Sequence, residues 1–519
     1  MSSFSIARLS LVLLLATSPF SSEALTHAVA VRATVPSEAS KAVDRSFTGF
    51  AFEQSSFYNY SFDAQGKPNA FSQNLVDAVL SRTGGTPLLR VGGTSGDHGR
   101  YDASQKNATN YPATEYGPQT KISGNRLAIG PPFFQAFKSW PGAKFELMVP
   151  FYNTTFSRSV EWARAGVGQI GIDNLYALEL GNEPTFYPWF SIKEYVRRYQ
   201  SLQARLIAAI PSLADRRIFQ AFDTASYSAG DLATKPAFQD GLDANASSIR
   251  QVAYHYYQNQ HGVADFAALQ DYIRHTATKS NITNFLADIR YLNGSHPAIG
   301  FAFTETGYSV GGSGGNDHIR TNNFASALWS LDFQLCALSM GVSRVNWQQI
   351  LRSDLQMWRP VATSLGEPRV TAHFYSQPFV ADFIGRSGKT RVVELDVGTP
   401  QSGLYAAYAA YDDGKLARVA LLNLELWDSQ RNSSSGGRPE ARFSLTGLLG
   451  TGSNLTVHHL TADKGALAHE NVTYSGLEWS WASQGKQKKV KNDSKMLEIN
   501  STEVDIMVKA TQAVLLEIR

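Results

Sequence analysis

From Ser46 onward the chain alternates between short apolar runs, rich in β-branched and aromatic residues, and longer stretches with apolar residues every three or four positions. The first pattern predicts buried strands and the second amphipathic helices. Eight such runs follow one another: Phe47–Glu53, Pro87–Gly92, Lys144–Tyr152, Leu175–Glu183, Ile218–Asp223, Ile249–Tyr257, Ile299–Glu305 and Arg344–Ile350. Between the fourth and fifth, Ile192, Tyr195, Val196, Tyr199, Leu202, Leu206 and Ile210 line one face of a helix. Thr321–Met340 is largely apolar on every face, which predicts a deeply buried helix. Eight β/α repeats predict an α/β fold, a (β/α)8 TIM barrel whose active face lies at the C-terminal strand ends. An open doubly wound sheet is the competing arrangement, but no Gly-x-Gly-x-x-Gly turn follows the first strand.

After a last helix over Val370–Phe383 the texture changes. Short alternating segments (Val392–Leu395, Leu404–Tyr411, Val419–Leu424, Leu455–Leu460, Val504–Val508, Val514–Ile518) are separated by turns rich in Gly, Ser and Asn. They predict a C-terminal antiparallel β-sandwich. Ala28–Val35 also alternates but precedes the first barrel unit, so it is expected to join the sandwich. The expected organisation is a signal peptide over 1–24, an N-terminal strand segment over 25–45, a catalytic barrel over 46–385 and a sandwich over 386–519.

Composition narrows the setting. The chain has 519 residues, 43% apolar and 18% charged, with a net charge of +3, which makes no general case for nucleic acid or an anionic membrane. The single charge run, Lys486–Lys491, reads as a solvated loop. Arg8 followed by the apolar core Leu9–Ala16 reads as a secretory signal cleaved near Ala24, too short to span a bilayer. A secreted, extracellular protein without a membrane anchor is expected. Asn-x-Ser/Thr sequons at Asn59, Asn107, Asn153, Asn245, Asn281, Asn293, Asn432, Asn454, Asn471, Asn492 and Asn500 agree with that as candidate glycosylation sites. Cys336 is the only cysteine, so there is no intrachain disulfide and no Cys-rich metal site.

The fourth run ends in Leu178–Pro184 (LELGNEP) and the seventh in Thr304–Gly307 (TETG). A glutamate at each strand end, Glu183 and Glu305, suggests a glycosidase pair of acid/base and nucleophile. The plainer reading is a strand-ending turn with a solvated carboxylate. The barrel decides between them, because it brings the ends of strands four and seven to one face. Other strand ends carry Glu53, Arg90, His255, Tyr257, and Trp347-Gln348-Gln349. Singly these read as salt-bridge partners or a structural histidine; together they form a ring of hydrogen-bonding groups suited to a polyhydroxylated ligand.

The pieces LRVGG (Leu89–Gly93), ELGNEP (Glu179–Pro184), YHYY (Tyr254–Tyr257) and FTETGYSVGG (Phe303–Gly312) resemble the retaining glycoside hydrolases of the large (β/α)8 clan. Within that clan the chain resembles glycoside hydrolase family 79, the β-glucuronidase and heparanase family. The resemblance implies Glu183 as acid/base and Glu305 as nucleophile. It implies Asn182 at the sugar 2-hydroxyl, Arg90 and Tyr257 orienting Glu305, and Glu53 and Gln349 on ring hydroxyls, with His255 also among the substrate-binding groups. Backbone donors of Gly311 and Gly312 would hold the substrate carboxylate. Val310 stands where animal heparanases carry tyrosine, which turns attention to Tyr308 for that contact. The implied substrate is a glycan or glycoside with terminal β-linked glucuronic acid, 4-O-methylated or not, cleaved without cofactor or metal. The strand-end loops carry few cations (Arg90, Arg100 and Arg352 are the evident ones), which favours exo-action over cleavage within a densely sulfated polymer. A neutral-sugar glycosidase of the same clan and an inactive carbohydrate-binding protein are the alternatives.

Overall fold

A computed structural model describes residues 25–97, 99–110, 127–152, 156–225, 233–244, 247–259, 263–310, 322–351, 353–398, 402–431, 437–447 and 454–519. The expected signal segment, Gly311, Gly312, Arg352 and the sequons at Asn153, Asn245 and Asn432 lie outside the described residues.

Each of the eight apolar runs coincides with one strand of a closed parallel barrel: β1 (Thr48–Glu53), β2 (Leu88–Gly92), β3 (Lys144–Val149), β4 (Leu175–Leu180), β5 (Phe219–Thr224), β6 (Ile249–Asn259), β7 (Gly300–Ser309) and β8 (Arg344–Gln349); β5, β6 and β7 extend past the expected ends, so Glu305 lies within β7 instead of ending it. Neighbours in sequence are neighbours in the sheet, and β8 closes on β1 with Val345 opposite Thr48. The strands read as continuous apolar runs because helices cover their outer face while the inner face is also dry. The inner face is nonetheless polar. Glu146 of β3 accepts from Gln251 at 3.0 Å, Asn346 at 2.8 Å and Arg344 at 3.3 Å, all buried. A carboxyl group removed from water needs such donors, and they tie β3, β6 and β8 across the barrel floor.

The helix over Ile192–Ala209 buries Tyr195, Val196, Tyr199, Leu202 and Leu206, the periodic face. Ser191 caps its first turn by accepting from the N–H of Glu194. The helix over Phe324–Met340 is buried on every side through Leu338, because the barrel lies on one flank and the C-terminal domain on another. Val370 differs from its expected helical state. It pairs with Trp358 in a short antiparallel bridge, and the helix proper runs over Ser376–Ile384 after a 3-10 turn.

The C-terminal domain is two antiparallel-dominated sheets. The larger orders the strands Arg391–Leu395, Tyr405–Asp412, Lys415–Asn423, Gln512–Ile518 and Asn454–Ala462, then three short strands. The last of these, Gln487–Lys489, is an exposed edge, where lysines discourage pairing with another chain. The smaller sheet has three strands: Thr26–Ala30 runs parallel to Glu440–Thr446, which pairs antiparallel with Glu503–Lys509. The N-terminal strand therefore buries Val29 in a core shared with Phe443, Leu445, Leu421 and Leu516, separate from the barrel core. Among the described sequons, Asn59, Asn107, Asn293, Asn454, Asn471, Asn492 and Asn500 are exposed, whereas Asn281 is half-buried and donates to Gln258.

Two polar clusters join the domains. Arg418 of the larger sheet donates to the carbonyls of Phe383 and Ile384, capping the last barrel helix, and pairs with Asp412 at 2.6 Å. His275 of the barrel lies between Asp332 at 3.0 Å and Glu394 of the sandwich at 3.1 Å. Tyr408 donates to Asp332 and Lys279 to Glu394, each at 2.6 Å. Burial opposes the imidazolium, but Asp332 and Glu394 outweigh it and push His275 up to about 10. Burial also pushes Glu394 up, and there His275 and Lys279 prevail, holding it below the ordinary carboxylate range.

The raised His275 contributes stability that is complete below its ordinary value of 6.5 and is lost as pH rises toward 10. The melting temperature of the protein should therefore fall between pH 7 and 10. His275→Gln should cost about 3 kcal/mol at pH 6 by leaving the buried Asp332 without its cation and Glu394 with Lys279 alone, and should flatten that alkaline decline. Melts of both proteins across the range check it.

Candidate active site

The site is built where two strands break their alternation. In β7, Phe303 stands opposite Tyr254 but Glu305 stands opposite His255, so Thr304 is an extra residue. In β5, Phe222 pairs with Ala253 and Thr224 with Tyr254, which makes Asp223 extra as well. A bulge re-aims side chains that strict alternation would send to the other face. Here Thr304 and Glu305 both face inward, and the two extra residues meet: the Thr304 hydroxyl donates to Asp223 Oδ1 at 2.9 Å.

Glu183 lies past the end of β4, with Gly181 at φ 88 and Glu183 itself at φ 52, ψ 56. Left-handed backbone at a non-glycine residue costs on the order of 1–2 kcal/mol. Its N–H donates to the Asp223 carbonyl at 2.7 Å, and Pro184 opens the next turn. The result aims its carboxyl at His255, whose Nδ1 lies 3.0 Å from Oε1.

Glu305 stands in different surroundings. Arg90 Nη1 donates to its Oε2 and the Tyr257 hydroxyl to its Oε1, both at 2.6 Å. Gly307 makes room for that tyrosine, since a Cβ there would sit 2.7 Å from the ring. Burial alone would raise Glu305; the charge of Arg90 and the hydrogen bonds from Tyr257 and Arg90 outweigh it and hold the carboxyl below its ordinary range. Oxygens of Glu183 and Glu305 approach within 4.8 Å of each other. Glu183 is the more open, its side chain 21% exposed against 10% for Glu305. One accessible carboxyl beside one clamped carboxylate can supply a proton donor and a nucleophile to the same ligand atom pair.

Arg90 is wholly buried and organises the centre. Its Nε and Nη2 grip Glu179 at 2.8 and 2.6 Å, while Nη2 also donates to Asn182 Oδ1 at 2.8 Å. The Asn182 backbone N–H donates to the Tyr187 hydroxyl, which in turn donates to Asp97. Glu53, at the end of β1, accepts from the Ser95 backbone and hydroxyl. Burial first and the charge of Glu305 second push it up to about 7. A carboxyl that holds its proton near neutrality can donate as well as accept toward a sugar hydroxyl.

Glu53, Arg90, Asn182, Glu183, His255, Tyr257 and Glu305 are thus gathered at one end of the barrel. Two expected residues are not. Tyr308 is buried with its ring 5.3 Å from Trp329, on the helix-facing side of β7. Gln349 accepts from the Met357 N–H and donates to the Trp347 carbonyl, on the outward face with Phe52 and Trp347. Alternation from Asn346, which reaches Glu146 inside, places Gln348 on the inner face instead. Gln348 Oε1 is buried with no hydrogen-bond partner among the described residues. The alternation of Trp347 with its neighbours carried that signal in the sequence. Glu179, Asp223, Asp97 and Tyr187 went unassigned. For Glu179 the signal was present, since an arginine inside a barrel needs an anion on the inner face of another strand. Nothing local marks Asp223 as inward, because only the bulge turns it.

Residues 407–515 match the family model for the glycosyl hydrolase family 79 C-terminal β domain. A β-glucuronidase of Aspergillus niger is 27% identical over 503 residues, covering 89% of this chain and 88% of the relative. A β-glucuronidase of Neurospora crassa is 24% identical, with 88% of each chain covered. Among solved structures, a 4-O-α-L-rhamnosyl-β-D-glucuronidase from Fusarium oxysporum, in complex with Rha-GlcA, superposes with a TM-score of 0.77 at 22% identity, covering 95% of this chain and 100% of that one. A family 51 arabinofuranosidase from Xanthomonas axonopodis pv. citri gives 0.65 at 13% identity, covering 96% and 100%. At those identities the solved structures establish the fold.

Gly93 tests how tightly the site is packed. It has φ +110, and a Cβ on it would stand 1.9 Å from Glu53 Oε2. Gly93→Ala should destabilise the protein by about 2 kcal/mol or more, read as a lowered urea midpoint with an unchanged slope. Gly168→Ala, where a Cβ meets nothing within 4 Å, is the matched control and should not lower it.

Proposed function

From the premise that this chain belongs to glycoside hydrolase family 79 and is a glycoside hydrolase, we propose that it removes terminal β-linked glucuronic acid from glycans with retention of configuration. The observation that carries the proposal is the pairing of Glu183 and Glu305 within 4.8 Å in unlike surroundings. Carboxyl groups about 5–5.5 Å apart suit a double displacement, whereas inverting enzymes hold them about 6.5–9.5 Å apart to admit a water. Glu305, held ionised by Arg90 and Tyr257, attacks the anomeric carbon. Glu183, open to the aglycone side, gives its proton to the departing oxygen and then takes one from the water that releases the sugar. Asn182 and the neutral form of Glu53 are placed to bind hydroxyls of the same ring.

The glucuronate preference rests on the relatives, both named β-glucuronidases, and on the resemblance of the glycine pair at 311 and 312 to a backbone carboxylate cradle. Secretion, glycosylation at the exposed sequons and action at chain ends belong to the same proposal, supported by the N-terminal apolar segment and the scarcity of cations near the strand ends.

Aryl β-glucuronides should be hydrolysed at least about a hundredfold faster than the matching glucosides, because a neutral sugar leaves carboxylate donors unpaired. Equal rates would leave a neutral-sugar glycosidase of the clan. Glu183→Ala should lose most activity on substrates with poor leaving groups, and azide should restore turnover as a β-glucuronyl azide. Glu305→Ala should be inactive on all leaving groups, with any azide product α-configured. A 2-fluoro glucuronide with a good leaving group should label Glu305, as mass spectrometry of the digest would show; a label on Glu183 reverses the roles.

A further inference from the structure

Behind Glu183 stands a buried acid to which the scheme above gives no part. Asp223, the extra residue of the β5 bulge, has φ 46 and follows Phe222 at φ 84. Two successive non-glycine residues with positive φ persist only where the surroundings over-determine them, a condition that collects at functional sites. The Asp223 carbonyl holds the Glu183 N–H at 2.7 Å. Its Oδ1 accepts from Gln220 at 2.5 Å and Thr304 at 2.9 Å, and lies 4.0 Å from His255 Nε2. The other ring nitrogen, Nδ1, is the one that faces Glu183 at 3.0 Å. His255 Nε2 and Asp223 Oδ2 are buried and have no hydrogen-bond partner among the described residues. The remaining charged groups are Glu179 on β4, within 4.8 Å of both, Arg90 on β2, which grips Glu179, and Glu305 on β7.

We infer that Asp223 is a positioning residue of the hydrolysis, fixing through the His255 imidazole which side of the His255–Glu183 hydrogen bond carries the proton. The inference rests on the reading of Glu183 as acid/base. To expel the aglycone, Glu183 must hold a proton and donate it toward Nδ1 or the glycosidic oxygen. Nδ1 is then an acceptor, so the ring proton sits on Nε2, facing Asp223. An acceptor opposite Nε2 favours that tautomer, as the buried acid of a catalytic triad does for its histidine. Burial first and the charge of Glu179 second raise Asp223, so an N–H on the ring side relieves a poorly solvated carboxyl. Gln220 and Thr304 donate to Oδ1, the oxygen that faces Nε2, so Asp223→Asn would keep an acceptor there, whereas Asp223→Leu removes it. Without that acceptor nothing holds the ring proton on Nε2, and a proton on Nδ1 donates to Glu183 and favours its ionised form.

The test compares 4-nitrophenyl and methyl β-glucuronides across pH for the full-length protein. Asp223→Leu should lose about tenfold or more extra kcat/KM on the methyl glycoside, which needs the general acid, than on the nitrophenyl one. The alkaline limb of its profile should move to lower pH. Combined with His255→Gln, the Asp223 change should add less than about threefold further loss, because the two act in one chain. Thr304→Val removes a competing donor from Oδ1 and should shift both readouts the opposite way by less; it decides the matter if Asp223→Leu does not fold. Equal losses on both substrates with an unmoved limb, or losses that multiply in the double variant, overturn the inference. Glu183→Ala in the same series separates the two readings: if it does not discriminate between the substrates, the acid/base reading fails; if it discriminates and Asp223→Leu does not, only this inference fails.

Discussion

The structure depends on one buried cation. Arg90 has no exposed surface, and desolvating a guanidinium is tolerable only if anions and acceptors satisfy its fork. Glu179 takes two of its N–H groups, Glu305 a third, and Asn182 shares one. Burial works against the charge on Arg90, but Glu179 and Glu305 outweigh it and raise Arg90 well above its ordinary value. The same interaction that makes the cation affordable fixes three strands relative to one another and clamps one catalytic carboxylate. Stability and chemistry here rest on the same hydrogen bonds.

Around that centre, unlike environments divide the labour of like groups. Glu305 has a cation and a hydroxyl; Glu183 has an imidazole and open space; Glu53 has a serine and no cation of its own. A barrel supplies such differences readily, because each strand end is a separate tether and each side chain meets a different set of neighbours. The bulges at Thr304 and Asp223 extend this by adding inward-facing positions that alternation would not provide, and the two extra residues brace each other.

The sandwich contributes beyond its own core. Arg418 caps the last barrel helix and Glu394 completes the pairing of His275, so barrel residues have buried charges whose partners lie in the other domain. The N-terminal strand Thr26–Ala30 pairs with Glu440–Thr446, which in turn pairs with Glu503–Lys509 near the C-terminus. Chain order and domain membership therefore diverge, and the two domains are stitched from both ends.

How much was legible follows from which forces are local. The eight barrel strands and the long helices could be read directly, because continuous apolar runs and three-to-four spacing are imposed by burial of whole faces. Glu183, Glu305, Arg90, Tyr257 and His255 could be named because strand-end polar residues in a parallel barrel have one face to occupy. Glu440–Thr446 was not read as a strand, since its partners are Thr26–Ala30 and Glu503–Lys509 and its exposed side is charged. Gln349 faces outward and Gln348 inward, a one-residue matter that alternation settles once Asn346 is known to face inward. Tyr308 was sent to the helix side by the register of β7 past its bulge. Asp223 and its neighbours could not be found at all, because a bulge is a property of two paired strands and no single strand encodes it. The sequence by itself determined which elements form and which residues end them; the pairing of strands decided where each side chain points, because register is fixed only when both partners are in place.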